Sequence, residues 1–205
     1  MNTISDLYKT IDKPSKGLYK IKGSKFLSFA YPVFSDLETK PILASIKKEF
    51  FDARHHCFAY QLGLNKEVYR TFDDGEPSGT AGKPILGQIN SYQLTNIFII
   101  VVRYFGGTLL GTSGLINAYK LATIDALNNA KIIEKAVETI YEISFDYIAI
   151  NEIMKILKDE NISLLHQHID NISRISIAVR NSKSEILTNK ISKVKTAKLK
   201  LISPR

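Results

Sequence analysis

The last third of the chain shows the clearest alternation of hydrophobic and polar positions. Residues 137–145 alternate with the period of two of a half-buried strand, and residues 151–160 carry apolar side chains at helical spacing. The pattern then predicts a strand at 163–169, a turn at Asp170-Asn171, a strand around 175–179, a helix from Ser182 and a closing strand around 197–201. The order βαββαβ predicts a ferredoxin-like domain, a four-stranded antiparallel sheet with both helices on one face.

The first part of the chain has a less regular pattern. Residues 17–33 predict a β-hairpin with Lys22-Gly23-Ser24 at its turn. A helix follows from Asp36 to Phe50, or from Thr39 if Pro41 delays its start. The remaining predicted elements are a strand at 55–63, a short helix from Lys83-Pro84, a buried central strand at 97–102 and a helix capped by Thr112 or Ser113, whose apolar stripe is Leu115, Tyr119, Ala122, Ala126 and Ala130.

Glycine marks the boundary between the two parts. All 11 glycines lie between Gly17 and Gly114, and residues 115–205 contain none. Together with the change in pattern near residue 130, this predicts two domains, residues 1–132 and residues 133–205. The fold class is therefore expected to be α+β.

The amino-acid composition indicates a folded protein and bears on the kind of partner that it binds. The 205 residues are 44% hydrophobic and 23% charged, which is typical of a folded chain. The excess of 28 Lys+Arg over 20 Asp+Glu, a net charge of +8, modestly favours a polyanionic partner such as nucleic acid. The longest apolar run, at 97–102, is far shorter than the ~20 residues of a membrane span. With no leader pattern and one cysteine, Cys57, the sequence predicts a cytoplasmic protein without disulfides and without a membrane role.

The most informative segment runs from a buried strand through a glycine-rich loop into a helix, at 101–120. Glycines let backbone N–H groups converge, and a helix N-terminus adds partial positive charge, so this geometry suits a phosphate. Gly106 and Gly111 have the spacing of a P-loop, but Thr112 stands where that motif requires lysine, which disfavours nucleotide hydrolysis. Arg103 and Lys120 flank the loop. The alternative is that these glycines serve only a tight strand-to-helix turn.

A second loop, at 72–84, carries the carboxylates of Asp73, Asp74 and Glu76. They could hold Mg²⁺, stand in a solvated acidic turn, or hold Arg54 or Arg103 in place. An acidic loop of this kind is more often solvated than bound to a metal, so the sequence predicts no metal and no cofactor.

A third segment, DARHHC, contains Arg54, His55, His56 and Cys57. Strand alternation leaves only His55 on the face of Cys57, so a thiol-hydrolase site is disfavoured and Cys57 is expected to be a small buried side chain. Arg54 and the histidines are expected to make polar contacts at the strand end. His166 and His168 are expected on the surface. The basic C-terminal segment has two possible roles: its lysines could contact phosphates, or they could keep an exposed edge strand from pairing with another sheet.

Three strings, DARHHC, DDGEPSGTAGKP and VVRYFGGTLLGTSGL, in this order, resemble the signature of the YigZ/Impact family. The resemblance covers nearly the whole chain, with small departures at Ser78, Phe105 and Ser113. It implies an N-terminal domain similar to domains of a small-subunit ribosomal protein and of elongation factor G, with a left-handed βαβ crossover. It also implies the ferredoxin-like extra domain of bacterial members. Eukaryotic members act in translational control, and bacterial members are regarded as nucleic-acid or ribosome binders.

The predicted function is therefore a non-enzymatic, translation-associated protein that binds RNA or the ribosome. The residues expected to contact the nucleic acid are Arg54, His55, His56, Lys83, Arg103, Tyr104, Phe105, Gly106, Gly107, Gly111, Thr112 and Lys120. One alternative is a hydrolase-like enzyme on a small phosphorylated or peptide-like substrate, with Asp74 or Glu76 as base and His55 beside it. Another is a module that binds a protein partner.

Overall fold

The computed structural model describes residues 7–204. The chain forms two compact units. The first spans Lys9–Lys135, and the second contains the described residues from Ala136 onward together with Leu7 and Tyr8. The predicted boundary after residue 132 falls inside a strand, Ile132–Ala136. No helix within residues 7–204 is long and apolar enough to cross a membrane.

The N-terminal unit is built on a five-stranded sheet. The elements in chain order are β1 (Leu7–Ile11), β2 (Ser15–Ile21), β3 (Ser24–Pro32), α1 (Asp36–Glu49), β4 (His55–Leu62), β5 (Val68–Phe72), α2 (Gly82–Ser91), β6 (Ile97–Tyr104), α3 (Gly111–Asn128) and β7 (Ile132–Ala136). The sheet has the order β2-β3-β6-β4-β5, and every neighbouring pair is antiparallel. Strands β1 and β7 form a separate two-stranded sheet.

Helices cover both faces of this sheet. On one face, Ile46 of α1 packs with Phe29, Phe58 and Phe98. On the other face, apolar residues of α2 and α3 pack against the alternate side chains of the same strands. Strand β6 lies at the centre and is buried from Ile97 to Arg103. This confirms the predicted central strand and places the β6 terminus, where the glycine-rich loop begins, at one end of a rigid layer.

Several predicted elements of this unit are confirmed and others are corrected. The hairpin of β2 and β3 and the start of α1 at Asp36 are as predicted. The prediction omitted β1, β5 and β7, each a five-residue strand with at most two buried positions, which gives little periodic signal. Helix α3 begins at Gly111, so Thr112 and Ser113 lie in its first turn and neither caps it. The handedness of the β3-α1-β4 crossover stays a prediction.

The C-terminal unit has the predicted ferredoxin-like order. Its elements are β8 (Glu138–Asp146), α4 (Ile150–Asp159), β9 (Ser163–His168), β10 (Ile172–Arg180), α5 (Asn181–Ile191) and β11 (Lys198–Pro204). The strands are ordered β11-β8-β10-β9 and all neighbours are antiparallel, which confirms the βαββαβ prediction. The core lies between the sheet and both helices. His166 and His168 are exposed, and the basic strand β11 lies at a sheet edge.

Candidate functional site

The three motifs found in the sequence meet at one end of the five-stranded sheet. Strand β4 pairs with β6 so that His55 lies opposite Arg103. The acidic loop, residues 73–81, runs between β5 and α2 and passes His55 at Gly75. An open cleft of about 500 Å³ lies here. Its lining is Asp52, Ala53, Arg54, His55, Arg103, Tyr104, Phe105 and Leu109.

Arg103, which lines the cleft, belongs to a buried ion pair. The Arg103 guanidinium donates from Nη1 to both carboxylate oxygens of Glu76, at 2.7 and 3.0 Å. Arg103 is 6% exposed and Glu76 9%. The guanidinium also stacks near two rings, 5.5 Å from the Phe26 centroid and 5.6 Å from that of Phe105. The sequence allowed three uses for the carboxylates of the acidic loop: binding Mg²⁺, lying in a solvated turn, or holding an arginine in place. Glu76 has the third use, because it binds Arg103.

Two further side chains extend this pair into a buried polar chain. The Tyr119 hydroxyl on α3 donates to Glu76 Oε1 at 2.8 Å, and Cys57 Sγ lies 3.2 Å from Tyr119 Oη and 2.9 Å from the Asp73 carbonyl oxygen. Burial is the main cause that raises the pKa of both the Cys57 thiol and the Tyr119 phenol. Cys57 is therefore a protonated thiol at neutral pH, which argues against a nucleophilic role.

This arrangement predicts an unreactive thiol. In the native protein Cys57 should react with a disulfide reagent such as DTNB at least about 100-fold more slowly than in urea, because the thiolate is the reacting form and Cys57 is fully buried. Absorbance of the released thionitrobenzoate measures both rates. Stoichiometric modification of the native protein at the urea rate would contradict the buried, protonated state.

The other two carboxylates of the acidic loop bind backbone amides. Asp73 accepts hydrogen bonds from the N–H groups of Gly79, Ala81 and Gly82, at 2.9, 3.0 and 2.8 Å, and so fixes the start of α2. Asp74 accepts from the His56 N–H at 2.7 Å. No group of three or more His, Cys, Asp or Glu side chains within residues 7–204 is arranged to hold a metal ion. The carboxylates hold the loop in shape.

The two neighbouring histidines have different surroundings. His55 lines the cleft and donates from Nδ1 to the Asp74 carbonyl oxygen at 2.8 Å. His56 points to the opposite face, is 5% exposed and donates from Nε2 to the Phe50 carbonyl oxygen at 3.1 Å. Burial is the main cause that lowers the pKa of His56. His56 therefore lies away from the cleft, because a strand directs successive side chains to opposite faces, and its contact with nucleic acid stays a prediction that this placement does not favour.

The glycine-rich loop, residues 105–110, presents unused backbone donors beside the cleft. The Gly106 N–H donates to Ser24 Oγ at 3.1 Å. The amides of Gly107, Thr108 and Leu109 form no hydrogen bond with any part of the chain that the structure describes. Gly107 has φ of +84°, a left-handed conformation that favours glycine. The loop can therefore donate to an anion without breaking a bond of its own.

The remaining predicted residues divide between the cleft and its surroundings. Arg54 is exposed at the cleft and takes part in no ion pair within residues 7–204. Tyr104 donates to Asp52 at 2.6 Å, and this hydrogen bond is the main cause that raises the pKa of Tyr104 to about 12. Exposed residues outside the cleft lining are Lys83 in α2 and Gly111, Thr112 and Lys120 in α3. Sequence reasoning missed Tyr119, which it placed only in an apolar stripe.

Comparison with known proteins finds a matching family domain, similar bacterial proteins and a similar solved structure. Residues 22–127 match the Impact N-terminal domain. The chain is 34% identical over 161 residues to "IMPACT family member YvyE" of Bacillus subtilis, covering 78% of this chain and 74% of that protein. It is 30% identical over 186 residues to "IMPACT family member YigZ" of Escherichia coli, covering 90% and 91%. A crystal structure of a hypothetical protein has a TM-score of 0.69 and 29% identity, with 96% and 97% of the two chains covered.

Proposed function

The chain belongs to the Impact family, and we propose that it is a non-enzymatic, translation-associated cytoplasmic protein that binds RNA, free or on the ribosome, at the cleft of its N-terminal unit. One observation carries this proposal. The cleft and the loop beside it combine a cation with no ion pair among residues 7–204, an exposed aromatic ring and a run of amides that no described residue engages. These groups suit the phosphates and bases of a single-stranded segment.

Each group has a distinct role in this proposal. Arg54 neutralises a phosphate, because its charge is exposed and unpaired within residues 7–204. The Phe105 ring, 54% exposed, offers its free face to a base while Arg103 lies against the ring. The amides of Gly107, Thr108 and Leu109 donate to phosphate oxygens. Arg103 holds Phe105 and the loop in position, and its own charge is balanced by Glu76.

The contacts of the candidate bases count against the hydrolase alternative. Glu76 accepts from Arg103 and Tyr119, and Asp74 accepts from the His56 amide. A general base must come within hydrogen-bond reach of the proton that it removes, and neither carboxylate belongs to the cleft lining. The raised pKa of Cys57 removes the thiol nucleophile as well.

RNA affinity and its salt dependence test the proposal. Fluorescence anisotropy of a fluorescein-labelled single-stranded RNA should show binding at low salt that weakens steeply as salt is added. Arg54→Ala should weaken binding about tenfold and reduce the salt slope by about 0.7, the value for one phosphate on a single strand. The matched control is Arg174→Ala, an exposed arginine of the C-terminal unit, which should leave affinity unchanged.

Two outcomes would contradict the proposal. One is the absence of measurable affinity for RNA at low salt, and the other is an equal loss in both arginine variants. Sedimentation with ribosomes from lysate, with and without ribonuclease, then separates the partners. Binding that survives ribonuclease and needs an apolar surface would support the protein-interaction module instead.

A further inference from the structure

The hairpin of β2 and β3 carries an unbroken excess of positive charge. Residues 13–35 contain five lysines and no Asp or Glu. Three of them, Lys20, Lys22 and Lys25, lie at or beside the turn and are exposed. None of these three forms an ion pair with another described residue. The hairpin therefore presents a cluster of positive charges that form no ion pair within the described part of the chain.

Two of these lysines face each other across the hairpin. The register pairs Lys20 with Lys25, and Lys25 in turn lies opposite Tyr104 of β6, which lines the cleft. Like charges directly opposite on antiparallel strands destabilise the sheet. An anion lying across the hairpin would remove this repulsion, so the arrangement favours a bound polyanion.

The third lysine has an unfavourable backbone conformation. Lys22 has φ of +46° and Gly23 has φ of +76°, so both central residues of the two-residue turn are left-handed. Such turns favour Asn-Gly, because a lysine gains nothing from the left-handed region. A lysine at this turn position is therefore less favourable than an asparagine, and within residues 7–204 its exposed charge forms no ion pair that would offset the difference.

Close packing holds the hairpin turn against the glycine-rich loop. A Cβ added to Gly106 would lie 1.9 Å from the carbonyl carbon of Gly23 and 2.1 Å from the Ser24 nitrogen. The Gly106 N–H also donates to Ser24 Oγ at 3.1 Å. The hairpin turn that carries the three lysines is therefore fixed against Gly106, the residue that precedes the unengaged amides of residues 107–109.

We propose that Lys20, Lys22 and Lys25 form a second phosphate-contacting surface that continues the cleft and binds the backbone of the same RNA strand. This inference rests on the proposed function and assigns it residues outside the family signature strings. The occupant is RNA and not an acidic peptide, because the hairpin turn packs on the loop that carries the exposed Phe105 ring and the unengaged amides, which suit bases and phosphates. The lysines contribute affinity through counterion release.

A triple variant with a matched control tests the surface. Lys20→Gln, Lys22→Gln and Lys25→Gln combined should weaken RNA binding at least tenfold at about 50 mM salt and lower the salt slope by about 2, from about 0.7 for each phosphate. The control combines Lys155→Gln, Lys158→Gln and Lys193→Gln, three exposed lysines of the C-terminal unit. It removes the same charge and should leave the slope near that of the natural protein.

The outcomes separate this inference from the proposed function. If the natural protein binds no RNA at low salt, the proposed function fails and this inference fails with it. If the natural protein binds but both triple variants have the same slope, this inference alone is overturned. If poly-glutamate competes as well as RNA at equal charge, the surface is a site for acidic protein and the RNA assignment is wrong.

A single substitution distinguishes a binding role from a structural one. Lys22→Asn removes the charge and places a residue that tolerates the left-handed region at the same position. It should raise the melting temperature and at the same time weaken RNA binding severalfold. A raised melting temperature with unchanged affinity would overturn the role of Lys22 in binding.

Discussion

Glu76→Ala is expected to lower the free energy of unfolding by about 3 to 5 kcal/mol, the usual cost of leaving a buried charge without its partner. The Arg103 guanidinium would stay inside the N-terminal unit, since it lies between the Phe26 and Phe105 rings, and the Tyr119 hydroxyl would lose its acceptor. Urea unfolding followed by circular dichroism measures the change.

Two further variants show whether the cost comes from the unpaired charge. Glu49→Ala, at an exposed position near the end of α1, should change stability by less than about 0.5 kcal/mol. The double variant Glu76→Leu with Arg103→Met should regain most of the lost stability, because apolar side chains replace both charges. A loss below about 1 kcal/mol for Glu76→Ala would show that the pair is solvated.

Gly106→Ala should have the second largest effect, on both binding and stability. The added Cβ would overlap the backbone of Gly23 and Ser24, which cannot move without shifting the hairpin turn. We expect a loss of about 1 to 3 kcal/mol in stability, typical of overpacking, and at least a tenfold loss in RNA affinity. Thermal melting and fluorescence anisotropy on the same preparation measure the two effects.

The control for this substitution lies in a helix. Gly87 in α2 has no atom within 4 Å of an added Cβ, so Gly87→Ala should raise stability by about 0.5 to 1 kcal/mol and leave affinity unchanged. Gly106→Ala with the affinity of the natural protein would show that contact between hairpin and loop is not needed for RNA binding.

Strong periodicity explains why the C-terminal unit was predictable and the N-terminal unit only partly so. In β8 the buried residues are Thr139, Ile143 and Phe145, and in β10 Ser173, Ile175 and Ile177 are buried with less buried residues between them, so the period of two is visible in the sequence of both strands. A βαββαβ order of elements then allows few topologies. The short strand β5 has no buried residue, so nothing in its hydrophobic pattern separates it from a loop. The order of the five-stranded sheet depends on long-range pairing, which local pattern does not encode.

The site was predictable where it depends on local motifs and not where it depends on packing. Arg54, His55 and Arg103 were found because glycine and charge cluster around them in sequence. Tyr119 was assigned to the core, although a tyrosine in an apolar stripe must find an acceptor, and that signal indicated a buried polar partner. The lysines of the hairpin were visible as an acid-free segment, but their position beside the loop depends on the approach of Gly23 to Gly106.

Amide chemical shifts give the most direct test of the central claim that the glycine-rich loop and its surroundings bind RNA. In ¹H–¹⁵N spectra of the ¹⁵N-labelled full chain titrated with single-stranded RNA, the amides of Gly107, Thr108 and Leu109 should shift downfield as they donate to phosphate. The amides of residues 20–25 and the cleft should shift along the same binding curve. Unchanged amides at 107–109 at saturation, or shifts confined to residues 136–204, would contradict the account.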